Sequence, residues 1–277
     1  MRQSGCLPMP SSIAIGSGRA WRERLSSAGI DALYLHVPFC ARKCAYCDFA
    51  SWATTRGDVL PRRYAEALER QVEQVSHLGL LDGCETAYVG GGTPTLLGKA
   101  LGGLVRCVME CAPGIRELTC EANPDSLSDN VLREVAAAGC TRLSIGVQSL
   151  CDSELAELDR LHDAERARER VAAAVGGGLD VSCDLMCAIP LQTSDSWQAT
   201  LEGVASLGVG HVSVYPLQIE DGTALAQKVG DEQPSWNSSD TQAARMEQAQ
   251  SVLEDCGYRR YEVASYARLP EKECSHN

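Results

Sequence analysis

The sequence lacks an apolar stretch long enough to cross a membrane. No run approaches the roughly 18 residues that a membrane span needs. The first thirty residues contain a single apolar run, Ile13 to Ile15, and most of their basic residues follow it. A secretory signal has a longer apolar region and the opposite order of charge. We therefore interpret residues 1–30 as a disordered N-terminal extension and expect a cytoplasmic protein without a membrane span.

The sequence also lacks an excess of basic residues. Its 25 Lys and Arg side chains are outnumbered by 37 Asp and Glu side chains, which gives a formal net charge of −12. Nucleic-acid binding requires clustered basic side chains to contact phosphates. We therefore expect no nucleic-acid partner.

Fourteen cysteines without a secretory signal favour reduced thiols, metal binding or catalysis over disulfides. Cys107 and Cys111 lie four residues apart in a helical pattern, and Cys183 and Cys187 lie on one face of a predicted strand. Core packing explains either pair better than a site does, because free cysteine behaves as a small buried hydrophobe.

A third group of cysteines, Cys40, Cys44 and Cys47, lies in the loop PFCARKCAYCDF. This density of thiols predicts a metal centre, either zinc or an iron–sulfur cluster. A structural zinc site is normally closed by four ligands. A fourth is missing nearby, since His36 points the other way along its strand and Asp48 would be an unusual ligand. A four-iron cluster on three thiolates leaves one iron open to a small molecule.

Short β-branched or aliphatic runs alternate with helical patterns along the chain. The predicted strands span residues 32–37, 86–89, 117–121, 142–147, 181–185 and 211–215. The predicted helices span residues 61–78, 99–112, 128–138, 163–175, 194–207 and 239–256. Six βα units in a row imply parallel strands with crossover helices, so an α/β fold with a sheet or barrel core. Binding residues in such folds lie at the carboxyl ends of strands, and the cysteine loop follows the first strand.

Several segments resemble one protein family. CARKCAYC resembles the C-x3-C-x2-C loop of the radical S-adenosylmethionine (SAM) superfamily, and YVGGGTPTLL resembles its glycine loop, where glycines let backbone approach the methionine amino group. LYLHVPFC, GGGTPT, EANPDSL, RLSIGVQSL and ELDRLH resemble, in order and separation, one branch: the oxygen-independent coproporphyrinogen III oxidases and the HemW haem chaperones. The resemblance covers about Asp31 to the last residue.

The resemblance implies a fold, cofactors and site residues. The fold would be a six-unit (β/α)6 partial barrel of the radical SAM type. Cys40, Cys44 and Cys47 would hold a [4Fe–4S] cluster, and no catalytic residue is assigned. The residues implied to lie near or bind SAM are Tyr34, Tyr46, Gly91, Gly92, Thr93, Glu121, Gln148, Arg160 and Asp184. Two of them also have structural explanations: Glu121 could cap a turn, and Asp184 could pair with a buried Arg.

The alternation of residues along the strands agrees with part of this set. Glu121 shares a strand face with Glu117 and Thr119, opposite an apolar face. Gln148 shares one with Ser144 and Gly146, and Asp184 lies opposite Cys183 and Leu185. The polar faces would line a barrel interior while the apolar faces contact the helices.

Two features favour the chaperones within this branch. Oxidases carry a further cysteine two residues after the third one, where this chain has Phe49. His276 and Asn277 match the first two positions of the H-N-x-x-Y-W motif that is linked to haem handling in HemW-like proteins. The resemblance thus implies a protein that binds haem and delivers it to haem proteins. The alternative is a radical SAM enzyme that abstracts hydrogen from a porphyrin-type substrate; a zinc-stabilised binding module fits poorly.

The C-terminal residues are expected to be incomplete. We interpret residues 31–257 as the radical SAM core domain and 258–277 as the start of a C-terminal region that is cut short. Residues 258–269 predict one more strand. The residues expected to leave apolar surface exposed are Tyr258, Tyr261, Val263 and Tyr266. Exposed strand edges of this kind favour self-association.

Overall fold

The computed structural model describes residues 29–55, 57–230 and 233–276. The predicted N-terminal extension lies outside these residues apart from Gly29 and Ile30. The backbone N–H of Ile30 donates to the carbonyl of Leu80 at 3.0 Å, which ties the start of the described chain to the segment after the first helix. Within the described ranges, no helix is long and apolar enough to cross a membrane.

In the residues that the structure describes, ten strands form two sheets. In chain order they are β1 (Ala32–Val37), β2 (Phe39–Cys40), β3 (Trp52–Ala53), β4 (Thr86–Gly91), β5 (Glu117–Ala122), β6 (Arg142–Gln148), β7 (Asp180–Cys187), β8 (His211–Pro216), β9 (Arg259–Arg260) and β10 (Ser265–Ala267). The main sheet has the order β1-β4-β5-β6-β7-β8-β10-β9, and β2 pairs only with β3. The strands from β1 to β8 of the main sheet are parallel, and β10 is antiparallel to β8.

Helices connect the parallel strands. They are α1 (Leu60–His77), α2 (Lys99–Cys111), α3 (Asp129–Ala138), α4 (Asp152–Glu157), α5 (Ala164–Gly176), α6 (Ser194–Ser206), α7 (Ala224–Val229) and α8 (Ser239–Asp255). Local sequence explains several of their ends. The side chains of Ser128, Asp163 and Thr193 accept a backbone N–H at the starts of α3, α5 and α6. Gly139 ends α3 with φ +105°, a left-handed conformation that favours glycine.

The two faces of the parallel strands differ as the alternation predicted. Apolar residues such as Leu118, Ile145 and Cys183 are fully buried in the core that the helices cover. The opposite face carries polar residues that line an internal cavity. The six βα units therefore form the predicted (β/α)6 partial barrel, with one apolar face and one polar face.

The cysteines outside the loop pack as predicted. Cys183 and Cys187 are fully buried in the core, and Cys107 and Cys111 are partly buried against it.

Residues 258–269 do not form the single strand that the sequence predicted. They form β9 and β10, joined by a tight turn in which the N–H of Tyr261 donates to the carbonyl of Ser265 at 3.1 Å. Tyr258 and Tyr266 are buried, so the expectation that they expose apolar surface is wrong, while Val263 at the turn is 72% exposed. The Tyr258 hydroxyl donates to the carbonyl of Val209, which explains how it packs inside. Self-association stays a prediction.

Candidate functional site

A cavity of about 540 Å³ lies on the polar face of the barrel. This volume falls within the roughly 300–1,000 Å³ of sites for small molecules and cofactors. Its lining comes from the cysteine loop at one end, from β4 to β8 along its length, and from Cys274 at the other end. The cavity therefore places the carboxyl ends of the strands and the cysteine loop around one space.

The cysteine loop is held in place by Ala45 at its centre. The backbone N–H of Ala45 donates to the carbonyl of Leu158 at 3.1 Å, and its carbonyl accepts the N–H of Leu225 at 2.7 Å. Ala45 is buried in a small apolar cluster with Leu158, Leu225 and Leu217. The loop is thus attached to the segment after α4 and to the start of α7, with its thiols facing the cavity.

Two of the three thiols of the loop receive donors from the barrel. Arg160 Nη1 lies 3.3 Å from Cys44 Sγ, and the Thr93 hydroxyl lies 3.6 Å from Cys40 Sγ. Burial raises the pKa of Cys47, and the nearby thiols of Cys44 and Cys40 raise it further. Donors aimed at sulfur favour the thiolate form, which is the form that binds metals.

Within the described chain, no group of three or more His, Cys, Asp or Glu side chains is placed to hold one metal ion. A zinc ion at about 2.3 Å from each sulfur would bring its thiolates within about 4 Å of one another. A four-iron cluster has no such requirement, because each thiolate binds a different iron. The loop supplies three thiolates, one fewer than the four ligands that normally close a structural zinc site.

The glycine loop at the end of β4 packs against the cysteine loop. A Cβ on Gly92 would lie 2.7 Å from the carbonyl oxygen of Phe39, and a Cβ on Gly91 would lie 2.5 Å from the His36 ring. Gly91 also has φ +117°, which favours glycine. The Thr93 N–H donates to the Phe39 carbonyl at 2.7 Å. Both glycines are thus required for β4 to pass close to β1 and β2.

Glu121 is a partly buried carboxylate on the cavity wall. Its Oε1 accepts the Tyr88 hydroxyl at 2.9 Å, and its Oε2 accepts the Gly91 N–H at 2.9 Å. Burial raises the pKa of Glu121, while these two donors oppose the rise. Its oxygens therefore have defined directions in the cavity, with accepting capacity left over.

Asp184 is a second partly buried acid, on β7. Burial raises its pKa to about 6, and the Ser144 hydroxyl, which donates to Oδ2 at 2.7 Å, opposes the rise. Charge repulsion from Glu121 adds to the increase. The interior of the barrel thus holds two acids whose ionised forms are costly without a cationic partner.

Arg160 supplies a partly buried positive charge. Its Nη2 donates to Asn123 Oδ1 and to the Gly146 carbonyl, both at 2.7 Å, so it bridges the carboxyl ends of β5 and β6 to Cys44. The preceding Asp159 adopts φ +58°, and Gln148, at the end of β6, adopts φ +65°. Such conformations are uncommon for residues other than glycine and cluster at functional sites.

Eleven of the twelve site residues predicted from the sequence line this one cavity. They are Cys40, Cys44, Tyr46, Cys47, Gly91, Gly92, Thr93, Glu121, Gln148, Arg160 and Asp184. The exception is Tyr34, whose side chain is 52% exposed and whose hydroxyl bonds His36 Nδ1 at 3.0 Å. The Tyr34 and Tyr88 rings stack with their centroids 6.1 Å apart, so Tyr34 packs against a residue of the cavity wall without lining the cavity itself.

Sequence reasoning missed two cavity residues that fix the predicted ones: Tyr88 orients Glu121, and Asn123 holds Arg160. Ser144, which the alternation placed on the polar face of β6, holds Asp184. The alternation along β4 could have placed Tyr88 on the polar face, since its neighbours Ala87 and Val89 are apolar. Asn123 directly follows β5, where site residues are expected.

The floor of the cavity is closed by residues 272–276, which we call the tail segment. Arg142, at the start of β6, donates to the carbonyls of Lys272 and Glu273 at 3.0 and 2.9 Å. Glu117, at the start of β5, accepts the N–H of Ser275 at 3.1 Å. The tail segment therefore covers the amino ends of the strands, opposite the cysteine loop.

Comparisons with known proteins agree with the geometry. The sequence profile of the Radical SAM superfamily matches residues 34–204. The heme chaperone HemW of Mycobacterium tuberculosis (strain CDC 1551 / Oshkosh) is 38% identical over 251 residues, which cover 88% of this chain and 64% of that protein. The heme chaperone HemW of Escherichia coli (strain K12) is 34% identical over 250 residues, which cover 89% of this chain and 65% of that protein.

A solved structure with a similar fold is the coproporphyrinogen III oxidase HemN of Escherichia coli, described as a radical SAM enzyme. It matches with a TM-score of 0.78 and 26% sequence identity over 94% of this chain and 61% of HemN. The chain thus spans less than two thirds of the length of the two HemW relatives and of HemN.

Proposed function

The chain belongs to the radical SAM superfamily, and on that premise we propose that it is a HemW-type haem chaperone with a [4Fe–4S] cluster and SAM as cofactors. The observation that carries the proposal is one cavity lined by the three cysteines of the loop and by acidic and basic side chains. Cys40, Cys44 and Cys47 would hold the cluster. When bound, the cluster supplies an electron and an open iron for SAM.

The charges in the cavity suit the methionine part of SAM. That part carries an ammonium group, a carboxylate and a cationic sulfonium. Glu121 and Asp184 are partly buried acids that an ammonium or sulfonium would stabilise in the ionised form. Arg160 is a partly buried guanidinium that would donate hydrogen bonds to a carboxylate.

Haem binding and delivery are proposed from the relatives rather than from a described haem site. Two relatives at 38% and 34% identity carry the name heme chaperone. Phe49, where oxidases of this branch have a further cysteine, favours the chaperone over the oxidase. The proposed partners are haem, or a porphyrin-type molecule, and the haem proteins that receive it.

The second candidate is an enzyme acting on a porphyrin-type substrate. The structural similarity to HemN favours it, since HemN is a coproporphyrinogen III oxidase. Anaerobic incubation of the cluster-loaded chain with SAM, a reductant and coproporphyrinogen III would separate the two. The chaperone proposal expects no decarboxylated product, together with haem binding and transfer to an apo-haemoprotein. Product formation without haem transfer would contradict it.

The cluster assignment is tested by single replacements of the loop cysteines. Cys40→Ala, Cys44→Ala and Cys47→Ala should each abolish the cluster, because two thiolates cannot hold the irons in place. Cys107→Ala and Cys183→Ala serve as matched controls, since both thiols lie away from the cavity. Iron content and visible absorption after anaerobic purification are the measurements. Normal iron content in Cys44→Ala would show that the assignment is wrong.

A further inference from the structure

The tail segment reaches the same cavity wall as Glu121. His276 Nδ1 forms a hydrogen bond of 3.0 Å with the Thr86 hydroxyl at the start of β4. The His276 ring stacks on the Tyr88 ring, with centroids 5.3 Å apart and planes inclined by 28°. Thr86 and Tyr88 lie on the same face of β4, two residues apart. The end of the tail segment therefore rests on the polar face of this strand.

Tyr88 connects this contact to the upper part of the cavity. Its hydroxyl donates to Glu121 Oε1 at 2.9 Å, and the other Glu121 oxygen accepts the Gly91 N–H. A Cβ on Gly90 would lie 2.7 Å from the Tyr88 ring and 2.9 Å from the Glu121 carboxyl group. The absence of a side chain at Gly90 thus allows Tyr88 and Glu121 to lie together on the strand.

We propose that Tyr88 and His276 are positioning residues for the Glu121 carboxylate. The tail segment closes the floor of the cavity, and His276 holds the Tyr88 ring so that its hydroxyl orients Glu121 toward the ligand. The inference rests on the proposed function in one respect, since it takes Glu121 to contact SAM. It adds a connection between the amino ends of the strands and the SAM site.

The contacts predict how the effects of changing the two side chains combine. Tyr88 acts directly on Glu121, whereas His276 acts only through Tyr88. Loss of the Tyr88 hydroxyl should therefore include the whole effect of losing His276. If the two residues contributed independently, their fold-losses of SAM affinity would instead multiply in the double variant.

The first test measures SAM affinity by anaerobic calorimetry on the cluster-loaded chain. Tyr88→Phe should weaken binding about tenfold, as expected for a lost hydrogen bond to a charged group. His276→Ala should weaken it about threefold, and Tyr88→Phe with His276→Ala should bind as Tyr88→Phe does. Thr86→Val releases His276 without shortening a large side chain, and it should resemble His276→Ala.

Matched controls exist in the same chain. Tyr266 is a buried tyrosine whose hydroxyl has no hydrogen-bond partner among the described residues, so Tyr266→Phe should leave affinity unchanged. His77 is an exposed histidine at the end of α1, so His77→Ala should do the same. Wild-type affinity in both His276→Ala and Thr86→Val would overturn the proposal, and so would multiplication of the effects in the double variant.

A pH profile separates positioning from a loss of packing. The Tyr88 hydroxyl lowers the pKa of Glu121. Tyr88→Phe should therefore raise the pH below which SAM binding is lost, which we call the acid limit. Packing damage alone would weaken binding at every pH. The other titratable groups facing Glu121 are Tyr34, His36, Asp184 and Tyr215. None of these is altered in the variants, and an unshifted acid limit in Tyr88→Phe would count against positioning.

A second measurement does not depend on SAM. Hydrogen–deuterium exchange of a peptide covering residues 86–92, in the SAM-free chain, should rise in His276→Ala and stay at the wild-type level in His77→Ala. If the wild-type chain binds no SAM, the proposed function fails, and this measurement alone decides the connection. Unchanged exchange in His276→Ala would overturn it.

Discussion

At the scale of single residues, Asp184 makes the stability of the fold depend on pH. Its pKa in the fold is about 6, raised by burial from an ordinary value of 3.8. The fold therefore binds a proton more readily than the unfolded chain between about pH 4 and 6. Stability falls as the pH rises through this window and stays at the lower value above it.

Asp184→Asn should remove this penalty. A shift of about two pKa units corresponds to at most about 3 kcal/mol, so the variant should unfold at higher temperature than the wild type at pH 8. At pH 4 the two should be similar. Thermal unfolding at both values is the measurement, with the exposed Asp221→Asn as control. A wild-type pH dependence in Asp184→Asn would contradict the assignment of this shift to Asp184.

At the scale of elements, the glycine loop packs closely against the backbone of β2. A Cβ on Gly92 would meet the backbone carbonyl of Phe39, which cannot rotate away as a side chain can. Gly92→Ala should therefore cost about 2 kcal/mol of stability and reduce iron incorporation, because β2 leads into Cys40. Gly176→Ala is the control, since nothing lies within 4 Å of a Cβ there. Urea unfolding and iron content measure both effects; normal values in Gly92→Ala would show that this contact can relax.

The elements also show how far sequence could predict the structure. The six parallel strands and the longer helices follow from periodicity, because each buries one continuous apolar face. The helices α4 and α7 were missed because six residues are too few to show a helical period. The turn between β9 and β10 was missed because Tyr261, Glu262 and Val263 include neither Gly nor Pro, the usual signals of a turn.

The site residues also divide into those that the sequence could place and those that it could not. Residues close to a motif, such as Cys44 and Gly91, could be placed from sequence, and so could Glu121 from strand alternation. The connection from His276 to Thr86 spans 190 residues. No local pattern encodes such a contact, because it depends on where the folded barrel places the amino ends of its strands.

At the scale of the whole molecule, two buried histidines make the free energy of unfolding depend on pH in the acid range. Burial lowers the pKa of His211 to about 3 and that of His162 to about 4, so both are neutral in the fold. The unfolded chain takes up protons below about pH 6.5, and stability is therefore lost as the pH falls toward these lower values. Asp184 acts in the opposite direction between about pH 6 and 4, which makes the net slope shallower.

Replacing His211 should reduce the acid sensitivity of the whole molecule. His211 bonds Ser182 at 2.7 Å and Tyr261 at 2.8 Å, so His211→Gln retains a polar side chain in that place. Between pH 7 and 5 the variant should lose about 2 kcal/mol less than the wild type. Urea unfolding at the two pH values checks this, with His77→Gln as control. Equal losses in wild type and His211→Gln would show that His211 is not the group responsible.

The position of the tail segment also has a consequence for the order of events during synthesis on the ribosome. Within the main sheet, β1, β4, β5, β6, β7 and β8 lie beside one another in chain order, so their pairing can begin while the chain is still being made. The floor cannot close until residues 272–276 have emerged, and contacts of such long range form late because closing a large loop is entropically costly. The tail segment should therefore join a barrel whose parallel strands have already paired.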